Sequence, residues 1–245
     1  MLPTDAILAA LIAFLGAFTQ GMTGFGFGLV SMALLPLLLP MAEAVPLVAV
    51  WSFVINLGLL YRLRAHVDLK RVAPLLLGAI VGVPLGVFYL DGADDRLVRL
   101  SLGAVMVAWS LWALLGGDKA VADRGAPPGA GLLAGVFGGV LSGAFNTGGP
   151  PTILYVNAMG WDKDRATSTL QAFFTFASVL SLSTHASVGL LDLEAVRRSL
   201  PVVPVVMLGT WLGAQVYDRI PQERFRTLVL GFVLVLGLQF LVRAA

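Results

Sequence analysis

The sequence has no cysteine, and only 12% of its residues are charged. Without cysteine, the chain cannot form disulfides, thiolate nucleophiles or cysteine metal sites. A soluble domain carries roughly 25% charged residues. The low charge, with 58% hydrophobic residues and a mean hydropathy of +0.90, therefore indicates a membrane protein. The net charge of +2 is spread over several loops, so no nucleic-acid partner is expected.

The first residues, Met1–Asp5, lack the basic segment of a cleaved signal peptide. We therefore expect a multi-pass protein of the bacterial inner (plasma) membrane. No cluster of Asp, Glu or His lies in the apolar segments. The sequence accordingly predicts no metal site and no cofactor.

The charged residues fall in clusters, and the uncharged runs between them predict the membrane segments. A bilayer core about 30 Å thick requires roughly 20 apolar residues per helix. Six of the eight uncharged runs approach that length. The runs are 6–42, 44–61, 72–90, 100–117, 125–161, 166–191, 199–217 and 227–242.

The first and fifth runs, 6–42 and 125–161, are each 37 residues long. As one straight helix, each would extend about 55 Å at 1.5 Å per residue, which is too long for a single crossing. Poor helix formers cluster near the middle of each run, at Gly21–Gly28 and at Gly143–Pro151. We therefore predict a broken helix in each run.

The order of the run lengths repeats, which indicates an internal duplication. The lengths are 37, 18, 19 and 18 residues, followed by 37, 26, 19 and 16. Gly82-x3-Gly86 recurs as Gly209-x3-Gly213 at an offset of 127. Small residues at this spacing let membrane helices approach closely.

The predicted fold is therefore an all-α polytopic membrane protein, with 1–245 as one transmembrane domain. Two homologous repeats, about 1–117 and 125–245, are joined by the linker 118–124. Each repeat has a broken Gly-rich helix and about three transmembrane helices, which gives about 8 to 10 membrane segments.

Lysine and arginine counts favour opposite orientations of the two repeats. Cytoplasmic loops carry an excess of these residues. If each long run crosses an even number of times, loops 62–71, 118–124, 162–165 and 218–226 share the cytoplasm, and the two sides hold 11 and 5 basic residues. If each run crosses once, the counts are 9 and 7. Inverted repeats are preferred, and a parallel repeat of four plus four spans is the alternative.

The broken helices predict a binding site near the bilayer midplane. Irregular backbone at that depth must be buried in protein or line a cavity, and inverted repeats with broken helices are a recurring plan of secondary transporters. Helix N-termini carry unpaired N–H groups and partial positive charge, so two that converge form an anion site. The neutral polar candidates beside the breaks are Gln20, Thr23, Asn146, Thr147 and Thr152.

Several polar residues have two interpretations that the sequence leaves open. Asn146 and Thr147 are residue types that cap helices, and a cap and a ligand contact are compatible roles. Asn56, Gln171 and Ser178 lie on following spans, where either hydrogen bonds between helices or ligand contact explains them.

His185 is the one titratable residue inside a predicted span besides tyrosines. It is a candidate for carrying a proton coupled to transport, because imidazole titrates near neutral pH. The alternative is a structural position near the membrane interface.

The glycine-rich segments resemble the TauE/SafE family of sulfite exporters. Gln20–Gly28, followed by Pro36, resembles the first-repeat signature, and Gly135–Gly143 continuing to Asn146–Pro151 resembles the second. The resemblance covers nearly the whole chain, and its signature positions are Gly21, Gly24, Gly26, Gly143, Gly148, Gly149 and Pro150. With the polar candidates, the predicted substrate-binding set is Gln20, Gly21, Thr23, Gly24, Gly26, Asn146, Thr147, Gly148, Gly149 and Pro150.

The resemblance implies a plasma-membrane permease that exports sulfite, an organosulfonate or a similar small anion. The expected partners are that anion and the lipid bilayer, and a homo-oligomer is compatible with the sequence. The alternatives are a permease for another small anion and a non-transporting membrane subunit. An intramembrane enzyme is disfavoured, because the chain has no Gly-Lys-Ser/Thr loop and no acidic or histidine cluster.

Overall fold

The structure is a computed structural model that describes residues 3–117, 125–216 and 222–244. Within those ranges the chain is helical and contains no β-strand, as the sequence predicts. The predicted linker 118–124 lies outside the described residues. The helices are α1 (Pro3–Thr23), α2 (Phe27–Leu34), α3 (Met41–Leu63), α4 (Leu69–Gly92), α5 (Asp95–Leu114), α6 (Ala130–Phe145), α7 (Gly149–Ala158), α8 (Lys163–Ser187), α9 (Leu193–Ser199), α10 (Val203–Val216) and α11 (Gln222–Ala244).

The first long uncharged run folds as a helical hairpin of α1 and α2. Between the two helices, Gly24 and Gly26 adopt φ angles of 81° and 103°, a region that residues with a Cβ avoid. These glycines reverse the chain. Gln20 then contacts the first residue of α2, and Gly16, one turn earlier on α1, lies against Ser31 of α2. The second arm of this first hairpin therefore returns antiparallel along the first arm.

The second long run forms the same motif from α6 and α7, here called the second hairpin. Its second arm begins at Gly149, immediately before the proline pair. Gly138 lies against Thr152, and Gly131, two turns earlier, lies against Tyr155. The two arms are therefore antiparallel, as in the first hairpin.

Six of the described helical segments are long and apolar enough to cross a membrane, where the sequence predicted about 8 to 10 membrane segments. The difference has two causes. The hairpin arms α2, α6 and α7 are shorter than a bilayer is thick, and α8 has 25 residues but is too polar to qualify. The six segments are Asp5–Thr23, Met41–His66, Leu69–Gly92, Asp95–Leu114, Leu193–Val216 and Phe225–Arg243.

Two helix pairs pack in parallel with their backbones in contact. A Cβ added at Gly82 or Gly86 of α4 would collide with successive backbone carbonyls of α6. A Cβ added at Gly209 or Gly213 of α10 would collide in the same way with α1. The contacts advance together along both helices of each pair, so each pair runs parallel. The predicted role of these glycines in close helix approach is confirmed.

The last helices of the two halves, α5 and α11, run antiparallel. Gly103, in the middle of α5, lies against Phe240 near the end of α11. At the opposite ends, Arg226 donates to the Ala113 carbonyl at 3.5 Å. Along their contact, α5 and α11 therefore point in opposite directions.

The long helices α3 and α8 are related in the same way. The Ser168 hydroxyl, in the second turn of α8, donates to the His66 carbonyl at 3.0 Å, just after α3 ends. This side of the molecule, with loops 64–68 and 159–162, is called the basic face. The other side holds the first turns of α1, α3 and α5 and is called the amino-terminal face.

A pair of side chains on α5 fixes the end of the first hairpin at the amino-terminal face. The Asp95 carboxylate accepts the Met41 N–H at 2.8 Å, at the start of α3. Arg99 bonds to Asp95 and donates to the Leu39 carbonyl at 3.2 Å. A cation near the last carbonyls of a helical segment, with an anion at the next helix start, complements both helix dipoles.

Candidate functional site

The tips of the two hairpins meet inside the molecule and enclose a cavity. Gly28, one residue into α2, lies so close to the Asn146 carbonyl that an added Cβ would overlap it. The cavity beside this contact measures about 40 Å³, which is room for a few waters or one small ion. Its walls come from both tips and from α3 and α8, and its polar lining residues are Gln20, Ser52, Asn56, Ser142, Asn146, Thr147, Ser178 and Ser181.

At the first tip, the Gln20 amide joins the hairpin to α3. Its Nε2 donates to Asn56 Oδ1 at 2.6 Å, and its Oε1 accepts the Phe27 N–H at 3.0 Å. Both Gln20 and Asn56 are buried, with 4% exposure each. The Gln20 side chain thus satisfies one of the free N–H groups at the start of α2 and fixes the tip against its neighbour.

The first tip is also held from the other half of the chain. Gln171 of α8 donates from Nε2 to the Gly24 carbonyl at 2.6 Å, and its Oε1 is buried without a partner in the described residues. Thr167, one turn earlier on α8, contacts the place where a Gly24 Cβ would be. Of the two roles open for Gln171, the structure therefore shows the hydrogen bond to another membrane segment.

At the second tip, Asn146 has a left-handed backbone with φ of 53°. Its side-chain Nδ2 donates to the Val45 carbonyl of α3 at 2.7 Å. Asparagine is one of the few residues besides glycine that adopts this backbone readily. The second tip therefore reaches the start of α3, just as the first tip reaches the start of α8.

The expected capping of α7 by Asn146 or Thr147 is wrong. Gly148 is the N-cap and makes no side-chain cap bond. Asn146 instead ends α6, and its side-chain amide donates to α3. The Thr147 hydroxyl is 2% exposed and has no hydrogen-bond partner among the described residues.

The two helix N-termini at the cavity differ in their supply of N–H groups. The N–H groups of Gly28 and Leu29, in the first turn of α2, have no acceptor within the helix. In α7 the corresponding positions are Pro150 and Pro151, which carry no N–H. The second helix start therefore offers a single first-turn amide, on Gly149.

The structure brings half of the predicted substrate-binding set to the cavity wall, namely Gln20, Gly26, Asn146, Thr147 and Gly149.

The other members lie around it. Gly21 packs against the Thr210 backbone, Gly24 faces α8, and Gly148 packs against Ser142. Thr23 lines a separate, smaller pocket of about 20 Å³, and Pro150 is buried in α7. Thr152, a further candidate, donates to the Gly148 carbonyl at 2.9 Å. Ligand contact for the predicted set stays a prediction.

Ser142 and Ser181 line the cavity, and the sequence interpretation did not name them. A signal for Ser142 existed, since it lies 122 residues after Gln20, the same offset that relates Asn56 to Ser178. Ser181 follows Ser178 by almost one helical turn and so shares its face.

None of the residues that line the cavity is charged. The described residues also contain no group of three or more His, Asp or Glu that could hold a metal ion. His185 lies on the cavity-facing side of α8, one turn beyond Ser181. It is fully buried, and apart from the Gly143 backbone beside the ring, neither nitrogen has a hydrogen-bond partner in the described residues. The arrangement can bind a small solute through amide and hydroxyl groups.

Comparison with known proteins identifies a family whose members are similar to this chain. The profile of the family described as "Sulfite exporter TauE/SafE" matches residues 9–240. The chain is also 30% identical over 244 residues to a protein of Cupriavidus necator named "Probable sulfite/organosulfonate exporter TauE", covering 97% of this chain and 94% of that relative. No solved structure matches the chain. The matched region includes both hairpins and the whole cavity.

Proposed function

Since the chain belongs to the sulfite exporter TauE/SafE family, we propose that it is a secondary transporter that exports sulfite or an organosulfonate from the cell. Members of this family are transporters, which confirms the expectation that the chain is not an enzyme. The family and the six apolar helices also confirm a multi-pass protein of a bacterial membrane.

The observation that carries the proposal is the uncharged polar cavity where the two hairpin tips meet. An anion that enters it leaves water and meets N–H groups of α2, the Thr147 hydroxyl and nearby serines. Such neutral donors stabilise a small oxyanion. No cation in the lining holds the anion permanently, and reversible binding is what a carrier requires.

We further propose that the two halves are inverted repeats. The order of a hairpin followed by three long helical segments occurs in residues 3–114 and again in 130–244. The antiparallel pairs α3–α8 and α5–α11 support inversion, because equivalent helices would be parallel in a parallel repeat. The contact between His66 and Ser168 also supports it, since the parallel arrangement puts these two residues on opposite sides.

Two single-cysteine variants test the inversion in this cysteine-free chain. Glu43→Cys lies on the amino-terminal face, and Asp164→Cys lies on the basic face. A membrane-impermeant thiol reagent added to intact cells should label only Glu43→Cys, because the basic face is cytoplasmic by its Lys and Arg content. Labelling of both variants from one side would contradict inverted repeats.

We also propose that His185 carries the proton that couples transport to the pH gradient. Its imidazole is buried beside the Gly143 backbone. None of the helices packed against α8 (α3, α4, α6 and α7) brings a charged side chain into interaction with the ring. His185→Gln should transport down a substrate gradient at a normal rate but lose acceleration by an imposed pH gradient. Unchanged acceleration in this variant would remove the proposal.

The proposed function is tested by flux from proteoliposomes loaded with labelled sulfite, a small sulfonate or sulfate. Gly149 supplies the matched variants, because a Cβ there would meet only Ile153 and Phe174, at 3.5 and 3.9 Å. Gly149→Ala should fold normally and retain flux, whereas Gly149→Leu should fill the cavity and abolish flux in folded protein. Flux of none of the three anions by well-folded protein would remove the sulfite and sulfonate assignment.

A further inference from the structure

Helix α8 carries more polar residues than the other long helices. It has 25 residues, enough to cross a bilayer, yet it is too polar to count among the six apolar segments. Six of its polar side chains recur every three or four residues, which places these six on one face. These residues are Ser168, Gln171, Thr175, Ser178, Ser181 and His185, here called the α8 polar face.

The α8 polar face points into the protein. All six of its residues are buried, and His185 and Gln171 are completely inaccessible. Val179, on the opposite face, is 44% exposed. From Ser168 to His185 the face extends about 26 Å at 1.5 Å per residue, which is most of the thickness of a bilayer core.

Several polar atoms on this face have no partner among the described residues. They are Gln171 Oε1 and Ser181 Oγ, and the His185 ring has the Gly143 backbone beside it but no other partner. A buried polar group without a hydrogen bond costs about 1–3 kcal/mol. Groups of this kind, placed along one line, are satisfied when water or a polar solute passes.

The equivalent helix of the first half differs. An offset of 122 relates the α8 polar face to positions on α3, and most of those positions are apolar, for example Ala49, Phe53 and Leu59. Asn56 is the polar exception, and it is already bonded to Gln20. Of these two helices, only α8 therefore carries unpartnered polar side chains within the described residues.

The α8 polar face extends from the central cavity toward a second one. Ser178 and Ser181 line the central cavity. Beyond His185, Gly189 and Leu190 line a second cavity of about 280 Å³ at the amino-terminal face. Trp51 of α3 lines this second cavity, while its neighbour Ser52 lines the central one.

We infer that the α8 polar face from Ser178 to His185 is the wall of the path along which the anion leaves the central cavity toward the amino-terminal face. The inference deepens the proposed function and rests on it for the identity of the solute. The path is closed in this structure. The Trp51 side chain lies between the two cavities. Its indole N–H donates to the Ser199 carbonyl at 3.1 Å.

Cysteine scanning of the natural cysteine-free chain tests this path. The variants Ser178→Cys, Ser181→Cys and His185→Cys probe the wall, and Val179→Cys is the matched control on the lipid-facing side of α8. The reagents are the anionic 2-sulfonatoethyl methanethiosulfonate, itself a sulfonate, and its trimethylammonium counterpart. Both react with the thiolate, so they report contact with water.

We expect all three wall thiols to react with the anionic reagent at least about tenfold faster than Val179→Cys, because a thiolate in an apolar environment costs more than 1.4 kcal/mol. We also expect the ratio of anionic to cationic reagent rates at Ser181→Cys to exceed the ratio for free cysteine. Wall thiols that react no faster than the control, or that show the ratio of free cysteine, would overturn the inference.

The labelling result can be distinguished from misfolding of the variants and from a wrong substrate assignment. Serine and cysteine are nearly the same size, so Ser178→Cys and Ser181→Cys should keep the thermal stability of the natural protein. Modification requires only an aqueous route, so a failure of sulfite flux would remove the proposed substrate and leave the labelling result unaffected.

Discussion

The two hairpin tips both border the central cavity but present different hydrogen-bond donors to it. The first tip is made of glycines, exposes the N–H groups of Gly28 and Leu29, and is held by amide side chains from outside the break. The second tip has prolines where those N–H groups would be, holds itself with the Asn146 side chain, and offers the Thr147 hydroxyl. One tip supplies backbone donors, and the other supplies a side-chain donor.

This difference shows that two hairpins of similar geometry can contribute different chemical groups to one cavity. Backbone N–H groups cannot be removed by most mutations, so the first tip gives a fixed set of donors. The hydroxyl of Thr147 can be altered by a single substitution. We therefore expect selectivity among anions to depend on the second tip and binding itself to depend on the first.

The largest effect is expected where the two tips touch. A Cβ in Gly28→Ala would overlap the Asn146 carbonyl, which forces the tips apart, so transport should fall to background and the midpoint of thermal unfolding should drop. Gly149→Ala, which adds the same methyl group at ordinary van der Waals distances from its neighbours, should keep the natural midpoint. Equal stability and flux of the two variants would contradict the close contact of the tips.

The next effect concerns the hold on the first tip. Gln20→Leu leaves Asn56 and the Phe27 N–H without their partner, at a cost of about 1–3 kcal/mol for each buried group, measurable by thermal unfolding. Gln20→Glu keeps an acceptor for Phe27 and lets the Asn56 amide rotate to donate, so it should be more stable than Gln20→Leu. Its negative charge should nevertheless raise the KM for the anion. An unchanged KM in Gln20→Glu would place the anion away from this tip.

A smaller effect is expected from the hold on the second tip. Asn146→Ala loses the bond to Val45 and also puts alanine, which tolerates this backbone less well than asparagine, at a φ of 53°. Asn146→Gly loses only the bond. The glycine variant should therefore unfold with a free energy about 1 kcal/mol larger than the alanine variant. Chemical denaturation in detergent measures the difference, and the reverse order would mean that the Asn146 backbone is not left-handed.

The smallest effect on stability is expected at Thr147. Thr147→Val has nearly the same shape and removes a hydroxyl that has no protein partner, so the thermal midpoint should be unchanged or slightly higher. The ratio of kcat/KM for sulfite to that for a sulfonate should change, while Thr147→Ser should keep the natural ratio. An unchanged ratio in both variants would assign selectivity to another part of the cavity.

The positions of the breaks were predictable from the sequence for a physical reason. A run of 37 uncharged residues is too long for one helix in a bilayer, and its glycines and prolines are the residues least compatible with a continued helix. The close approach at Gly82 and Gly213 was predictable as well, since small residues at a spacing of four have few other uses in an apolar helix.

The contacts between the halves could not be predicted. Gln171 bonds to Gly24 across 147 positions and Asn146 to Val45 across 101, and no local pattern encodes such pairs. Local rules also misassigned the cap of α7, because propensity alone does not reveal that Asn146 is needed by α3. The polarity of α8 was visible in its composition, but its alignment with the cavity required the fold.

The glycine interface between α4 and α6 has a consequence for biosynthesis. As the ribosome adds residues in order, α4 is complete well before α6 exists, and among the described helices only α6 contacts the backbone of α4 at Gly82 and Gly86. The α4 face at Gly82 and Gly86 is therefore open to lipid until the second half is inserted into the membrane. A chain cut in the linker should become functional only when both fragments are made in the same cell.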